Sequence, residues 1–314
     1  MKEPMLIDEA YREFLATIDC RNASLATYKR VLNIYGRFLG INKLKYNHVK
    51  INEIIDFKRG LIAKGLEPNT INLYVSVIRR FYNWLSEEGE YSIKLSSIKK
   101  EPVPHGYKRL ALTIDQVQTL FDTIDTETEI GRRDFALLSL LINTGFRRSE
   151  VASIDTTDLF QRGSVVGVYV KRKGHSTKDQ HKVLSREVFN LLTEQAGERI
   201  KIQGSPLFVT MVPGMERRRL SPCQVANIVK KYFHSIGLTD PMFSTHSCRH
   251  TTALVMYQQG REIHEIMQYL GHHSIKTTQQ YIQMAREQQS WSDNAANMLN
   301  DIFKKRDKKE GDNS

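Results

Sequence analysis

Four short stretches, far apart in the chain, hold the side chains whose types could do chemistry. They are Thr144-Gly-Phe-Arg147-Arg148-Ser-Glu150, Lys171-Arg172-Lys173-Gly174, His246-Ser-Cys-Arg249-His250, and Leu270-Gly-His272-His273 followed by Tyr281. Guanidinium is planar, permanently charged and offers paired N–H groups to phosphate oxygens, and imidazole and ammonium groups can exchange protons. Each stretch alone is commonplace. Thr-Gly between helices is mostly a helix cap, and basic residues in a hairpin turn are mostly solvated. His246 and His250 also stand four apart on an expected helix, as zinc ligands often do. The zinc pattern His-Glu-x-x-His needs Glu where this chain has Ser247, and no acidic third ligand lies nearby, so no metal is expected.

Composition limits which elements can position these groups. The chain has 314 residues, with 46 Lys plus Arg against 35 Asp plus Glu, a formal net charge of +11. Gly (18) and Pro (8) are scarce, which argues for long helices over a turn-dense all-β protein. The most apolar run, Phe135 to Ile142, is far short of the ~20 residues that cross a bilayer. Glu3, Asp8 and Glu9 stand where a signal peptide needs an apolar core, so a soluble, cytoplasmic protein with no membrane partner is expected. Cys20, Cys223 and Cys248 have no Cys-x-x-Cys spacing, and neither a disulfide framework nor a cysteine zinc site is expected.

Four helices are expected in residues 1–95, from apolar positions at helical spacing. The first holds Leu6, Ala10, Phe14 and Ile18, the second Leu25, Leu32, Tyr35 and Leu39. The third runs from Val49 to Lys64, and the fourth starts near Pro68 and holds Ile71, Val75, Ile78, Phe81 and Leu85. From Arg21 to Asn52 there is no acid, against Arg21, Lys29, Arg30, Arg37, Lys43, Lys45 and Lys50. That is either a solvated helical face or a surface that tracks phosphates by displacing counterions. Residues 96–109, with Pro102, Pro104, four Lys or Arg side chains and His105, read as a linker. A mixed domain follows over 110–287. It has a buried helix at Asp134–Asn143, a new helix from about Arg147, and a hairpin of Ser164–Arg172 with His181–Leu184. A further short strand is expected at Leu207–Thr210, and helices at Ser221–Ile236, Ser247–Gln259, Glu262–Leu270, Thr277–Met284 and Asp293–Lys304. The fold class is therefore mainly α with a small antiparallel β-sheet, and 288–314 forms a terminal helix and charged tail.

In this order and at these separations the four stretches closely resemble the tyrosine recombinase (phage integrase) family. The family's marks are Thr-Gly-Leu-Arg-x-Ser-Glu, a lysine in a Gly-Lys-Gly-like hairpin turn, His-x-x-Arg, and Leu-Gly-His with a tyrosine nine residues on. Here Phe146 replaces Leu, Arg172 replaces the first turn glycine, and Tyr281 falls at the expected place. The resemblance covers roughly 108–285, and a weaker one over 4–90, around Ser24-Leu-Ala-Thr-Tyr-Lys-Arg30 and Pro68-Asn-Thr70, fits the family's helical core-binding domain.

The resemblance implies a site-specific recombinase. Tyr281 is the expected nucleophile, attacking a DNA phosphodiester to leave a 3′-phosphotyrosine. A free phenol has a pKa of about 10 and needs a cationic site or a base to react. Arg147 and Arg249 would stabilise the extra charge on the pentavalent phosphorus, and His246 and His272 would position or exchange protons. Lys173, which precedes Gly174 as the family lysine does, would protonate the leaving 5′-oxygen, although Lys171, Lys178 and Lys182 lie close by. Glu150 would fix the helix start at Arg147. Lys29, Arg30, Arg37, Arg79, Arg80, Arg148 and Arg172 are candidate DNA contacts.

No cofactor is expected, because the phosphotyrosine bond conserves the energy of the broken phosphodiester. The implied partners are double-stranded recombination sites, three further copies of the chain in a synaptic tetramer, and accessory DNA-bending or directionality proteins. The two domains would close around duplex DNA, exchange would pass through a Holliday junction, and the helix after Tyr281 would pack on a neighbouring protomer. The compact length, long hairpin turn and extended tail point to a mobile-element enzyme, the alternative being Xer-type resolution of chromosome or plasmid dimers. A type IB topoisomerase, a DNA-binding regulator without cleavage activity and a metallohydrolase are the rivals from other classes.

Overall fold

A computed structural model of the chain describes residues 7–18, 22–103, 109–171, 177–178, 180–211, 217–272, 274–275, 278–279 and 281–283. The chain divides into two compact units, Met1–Gly106 and Tyr107–Ser314. Among the described residues no helix is long and apolar enough to cross a membrane.

The first unit is built from α1 (Ile7–Thr17), α2 (Asn22–Ile41), α3 (Ile51–Ala63) and α4 (Pro68–Glu87). Pro68 opens α4 at a position where its missing N–H costs no helical bond. From there Ile71, Tyr74, Val75, Ile78, Phe81, Tyr82 and Leu85 turn a continuous stripe into the core. Phe81 receives the Phe14 ring edge-on at 5.4 Å, and the Tyr35 and Tyr82 hydroxyls share a hydrogen bond of 2.9 Å.

The expected linker at 96–109 is partly a packed element of this unit. Leu95 and Ile98 are buried in its core, and the Asn72 side chain pairs with both backbone groups of Glu101. Lys58 adds an ion pair of 2.6 Å to the Glu101 carboxylate. Arg79 donates to the carbonyls of Leu95 (3.3 Å) and Ile98 (2.9 Å), so this candidate DNA contact instead ties the returning chain to α4.

The second unit contains α5 (Ile114–Asp122), α6 (Glu129–Thr144) and α7 (Arg148–Ala152), then strands β1 (Leu159–Arg162), β2 (Val165–Val170) and β3 (Gln180–Val183). The strands form an antiparallel sheet in the order β1-β2-β3. Helices α8 (Arg186–Ala196), α9 (Pro222–Ser235), α10 (Thr245–Gln258) and α11 (Ile263–Leu270) complete it, and residues 281–283 are again helical. Apolar from Phe135 to Ile142 apart from Ser139, α6 is the buried member, packed between α8 and α10. The protein is thus mainly helical with one small antiparallel sheet.

Three features depart from the sequence reading. β1 is a third strand where none was expected, with only half of its short length partly buried. The α8 helix was also unforeseen, although Ser185 caps it and Val188, Phe189 and Leu192 recur at helical spacing. The strand expected at Leu207–Thr210 reduces to the isolated pairings Asp155–Pro206 and Val209–Arg219. Cys20, Arg172, Lys173, His273 and the helix expected at 293–304 lie outside the described residues.

Candidate active site

Every described residue of the site belongs to the second unit, and two left-handed helix ends bring them together. Gly145 terminates α6 at φ 62°, its N–H bonded to the Leu141 carbonyl at 2.9 Å. A Cβ there would stand 2.6 Å from Leu270 Cδ2 at a φ that L-residues rarely adopt, which favours glycine. The chain continues through buried Phe146 to Arg147, which caps α7. One Glu150 oxygen accepts the Arg147 backbone N–H and the other its Nη1, both at 2.8 Å. The buried Glu150 therefore starts the helix and aims the guanidinium with the same carboxylate.

Gly271 ends α11 at φ 66°, and the His272 N–H returns to the Met267 carbonyl at 3.0 Å. Between the two glycine turns lies Arg249, on the buried face of α10 and only 3% exposed. Its Nη1 donates to the Gly145 carbonyl at 2.7 Å, its Nη2 to the Leu270 carbonyl, and its Nε to His272 Nε2 at 3.2 Å. A single guanidinium thus joins the ends of α6 and α11. His272 is closed from the other side by Thr278, whose hydroxyl lies 2.8 Å from Nδ1. His246, one turn before Arg249, is exposed.

The half-buried Tyr281 completes the cluster. Its ring stacks on His250 with centroids 3.7 Å apart and meets His272 edge-on at 5.0 Å. Its hydroxyl is within electrostatic and hydrogen-bonding reach of Arg249. Arg147, His246, Arg249, His272 and Tyr281 are therefore gathered at one place. His250 is a platform for the phenol. Among the described residues no three His, Cys, Asp or Glu side chains converge as metal ligands.

Positive charge dominates the electrostatics. Burial, followed by the charges of Arg249 and Arg147, pushes His272 down to about 3. Burial likewise takes His250 to about 3, with His246 and Arg249 adding to it. His246 is lowered by partial desolvation and then by four surrounding arginines. Burial and the neighbouring Arg147 bring Arg249 down to about 10, which still leaves it charged at neutral pH. The cluster has the properties of an anion site with neutral imidazoles set among fixed cations.

The described hairpin lysines differ sharply. Lys171 is exposed, whereas Lys178 is held between Asp155 (2.6 Å) and Asp158 (2.5 Å). Lys182 is buried, donating to the Thr144 carbonyl with its ammonium 3.6 Å from the Tyr269 ring centroid. Lys173 itself lies outside the described residues. Of the candidate DNA contacts, Lys29, Arg30, Arg37, Arg80 and Arg148 are exposed. Arg80 lies over the Tyr28 ring at 5.8 Å. The contacts of Thr278, His250 and Lys182 were missed in the sequence because they arise from segments that meet only in the fold.

The phage integrase family model matches residues 111–288, and the phage integrase N-terminal SAM-like domain matches 9–89. Tyrosine recombinase XerD of Staphylococcus epidermidis is 27% identical over 272 residues, covering 85% of this chain and 90% of its own. In structure, the chain resembles XerH site-specific recombinase bound to palindromic difH substrate in a post-cleavage complex. The TM-score is 0.69 at 16% identity, covering 94% of this chain and 86% of that one. It also resembles a lambda integrase tetramer bound to a Holliday junction, with TM-score 0.66 at 16% identity over 88% and 76% of the two chains.

Proposed function

The chain belongs to the phage integrase family of tyrosine recombinases, enzymes of site-specific DNA cleavage and rejoining, and we propose that the cluster around Arg249 is where it does this. One observation carries the reading. Two guanidinium groups, one at the start of α7 and one on α10, a buried imidazole and a phenol meet at one place in the second unit. In the reaction the Tyr281 oxygen forms a bond to phosphorus while the bond to the 5′-oxygen breaks. Arg147 and Arg249 hold the phosphate oxygens and stabilise the charge that grows on them. His272 and His246 flank the same phosphate, the phenolic proton passes to an imidazole or a phosphate oxygen as the new bond forms, and Lys173 on the hairpin gives its proton to the departing 5′-oxygen. Attack of another strand's 5′-hydroxyl on the phosphotyrosine reverses these steps and joins the exchanged strands, so neither ATP nor metal takes part.

The substrate is a pair of duplex recombination sites, processed by four protomers through a Holliday junction. Both units bind DNA, the first through Lys29, Arg30, Arg37 and Arg80. A mobile-element role fits the wide sequence separation of β2 and β3, from Val170 to Gln180. Dimer resolution is the second reading, favoured by the near full-length match to a XerD recombinase. The test is to incubate the protein with nicked DNA bearing its native site, in EDTA. Wild type forms a denaturation-resistant adduct and Tyr281→Phe forms none. An adduct that persists in Tyr281→Phe, or that needs a divalent metal, overturns the assignment.

A further inference from the structure

Thr278 lies three residues before Tyr281 and is fully buried, yet the chemistry above gives it no part. Its hydroxyl stands 2.8 Å from His272 Nδ1, and the opposite ring nitrogen, Nε2, lies 3.2 Å from Arg249 Nε. Guanidinium has only donors, so Nε2 must be the acceptor in that bond. A neutral ring then carries its one proton on Nδ1, and the Thr278 oxygen accepts it. An imidazolium, or the opposite tautomer, would set an N–H against the Arg249 N–H. The chain of bonds therefore runs in one direction, from Arg249 through His272 to Thr278, and it ends on the segment that carries the phenol.

We propose that Thr278 is a positioning residue of the cleavage reaction, fixing His272 as the Nδ1–H tautomer so that its Nε2 holds the Arg249 guanidinium in register with the Tyr281 segment. This rests on the recombinase reading of the cluster. Without the hydroxyl, the buried Nδ1–H has no acceptor. The ring then turns or moves its proton to Nε2, and either change takes away the acceptor that orients Arg249. Serine preserves the hydroxyl and loses only a methyl group, whereas valine keeps the shape and loses the hydroxyl. The two replacements therefore separate hydrogen bonding from packing.

The experiment measures adduct formation on the nicked site for wild type, Thr278→Val and Thr278→Ser, together with DNA binding, using the full chain. Thr278→Val is expected to form adduct about 10- to 100-fold more slowly at unchanged DNA affinity, with Thr278→Ser restoring most of the rate. Valine as fast as wild type, or serine as slow as valine, overturns the proposal. A second measurement is independent of the variants' folding. The nitrogen-15 spectrum of wild-type His272, assigned by its loss in His272→Asn, should show the Nδ1–H tautomer at neutral pH, and an Nε2–H ring or an imidazolium overturns the proposal. If wild type forms no adduct while His272 shows the Nδ1–H tautomer, the recombinase assignment of the cluster fails and the Thr278 bond stands.

Discussion

Replacing Gly145 by alanine tests whether the glycine turn builds the site. Gly145 sits at φ 62°, where an L-residue costs about 1–2 kcal/mol. The new Cβ would lie 2.6 Å from Leu270 Cδ2, 3.2 Å from Thr252 Oγ1 and 3.4 Å from Arg249 Cγ. Relieving such overpacking costs about another 1–3 kcal/mol. The sum, about 2–5 kcal/mol, is a large part of the roughly 5–15 kcal/mol that holds a domain together. Gly163 supplies the control, with φ 60° and nothing within 4 Å of its would-be Cβ. Gly163→Ala therefore carries the backbone cost alone, and the difference between the two variants isolates crowding at Leu270. Urea unfolding gives the two free energies, and the nicked-site assay gives the rates. Because the Gly145 carbonyl holds Arg249 Nη1, Gly145→Ala should also cleave more slowly at the same fraction folded. If it unfolds like Gly163→Ala and cleaves like wild type, the turn does not position the arginine.

Other outcomes follow from the same contacts. Arg147→Ala and Arg249→Ala should slow adduct formation by about 10²–10³-fold with most DNA affinity kept, and the Arg249 variant should also be less stable, because two carbonyls lose their donor. Equal losses of binding and of cleavage rate would contradict this. His250 and His272 stay neutral in the fold down to about pH 3, while in the unfolded chain they take up protons below about 6.5. Protons thus favour the unfolded state, and stability falls as pH drops from about 6.5 toward 3, at up to about 1.4 kcal/mol per pH unit for each histidine. His250→Phe should flatten that slope by one histidine's share in urea unfolding between pH 7 and 5, and an unchanged slope would show that His250 is not held neutral. Arg79→Ala should destabilise the first unit by about 1–3 kcal/mol, whereas Arg80→Ala should chiefly lower the salt dependence of DNA binding by about one charge. The reverse pattern would restore Arg79 to the DNA surface.

Much of this architecture is written in local pattern. The amphipathic stripes of α1 to α4, Pro68 at a helix start and Gly145 at a helix end are readable because each depends on a few neighbouring residues. β1 escapes because Leu159–Arg162 is short and half exposed, so it carries little apolar signal although it pairs with β2 across a tight turn. Arg79 is misread for the opposite reason. Its cationic type suggests a phosphate, but its surroundings supply carbonyls from a segment nearly twenty residues away. In the site, spacing and family likeness located Arg147, His246, Arg249, His272 and Tyr281. They gave no hint that Arg249 faces two backbone carbonyls, or that Lys182 is buried against Tyr269. Such facts belong to the meeting of α6, β3, α10 and α11, and no window of sequence contains them.

The hydrogen-bond inventory of Arg249 reaches further than its placement. A guanidinium has five N–H groups, and here three are occupied by the Gly145 carbonyl, the Leu270 carbonyl and His272. Among the described contacts two are left, and the Tyr281 hydroxyl is within reach of the guanidinium. An incoming phosphate that engages both must share or displace that contact, which sets its oxygens beside the Tyr281 oxygen. On the proposed reading, the donors left on Arg249 are where attacker and target would become neighbours.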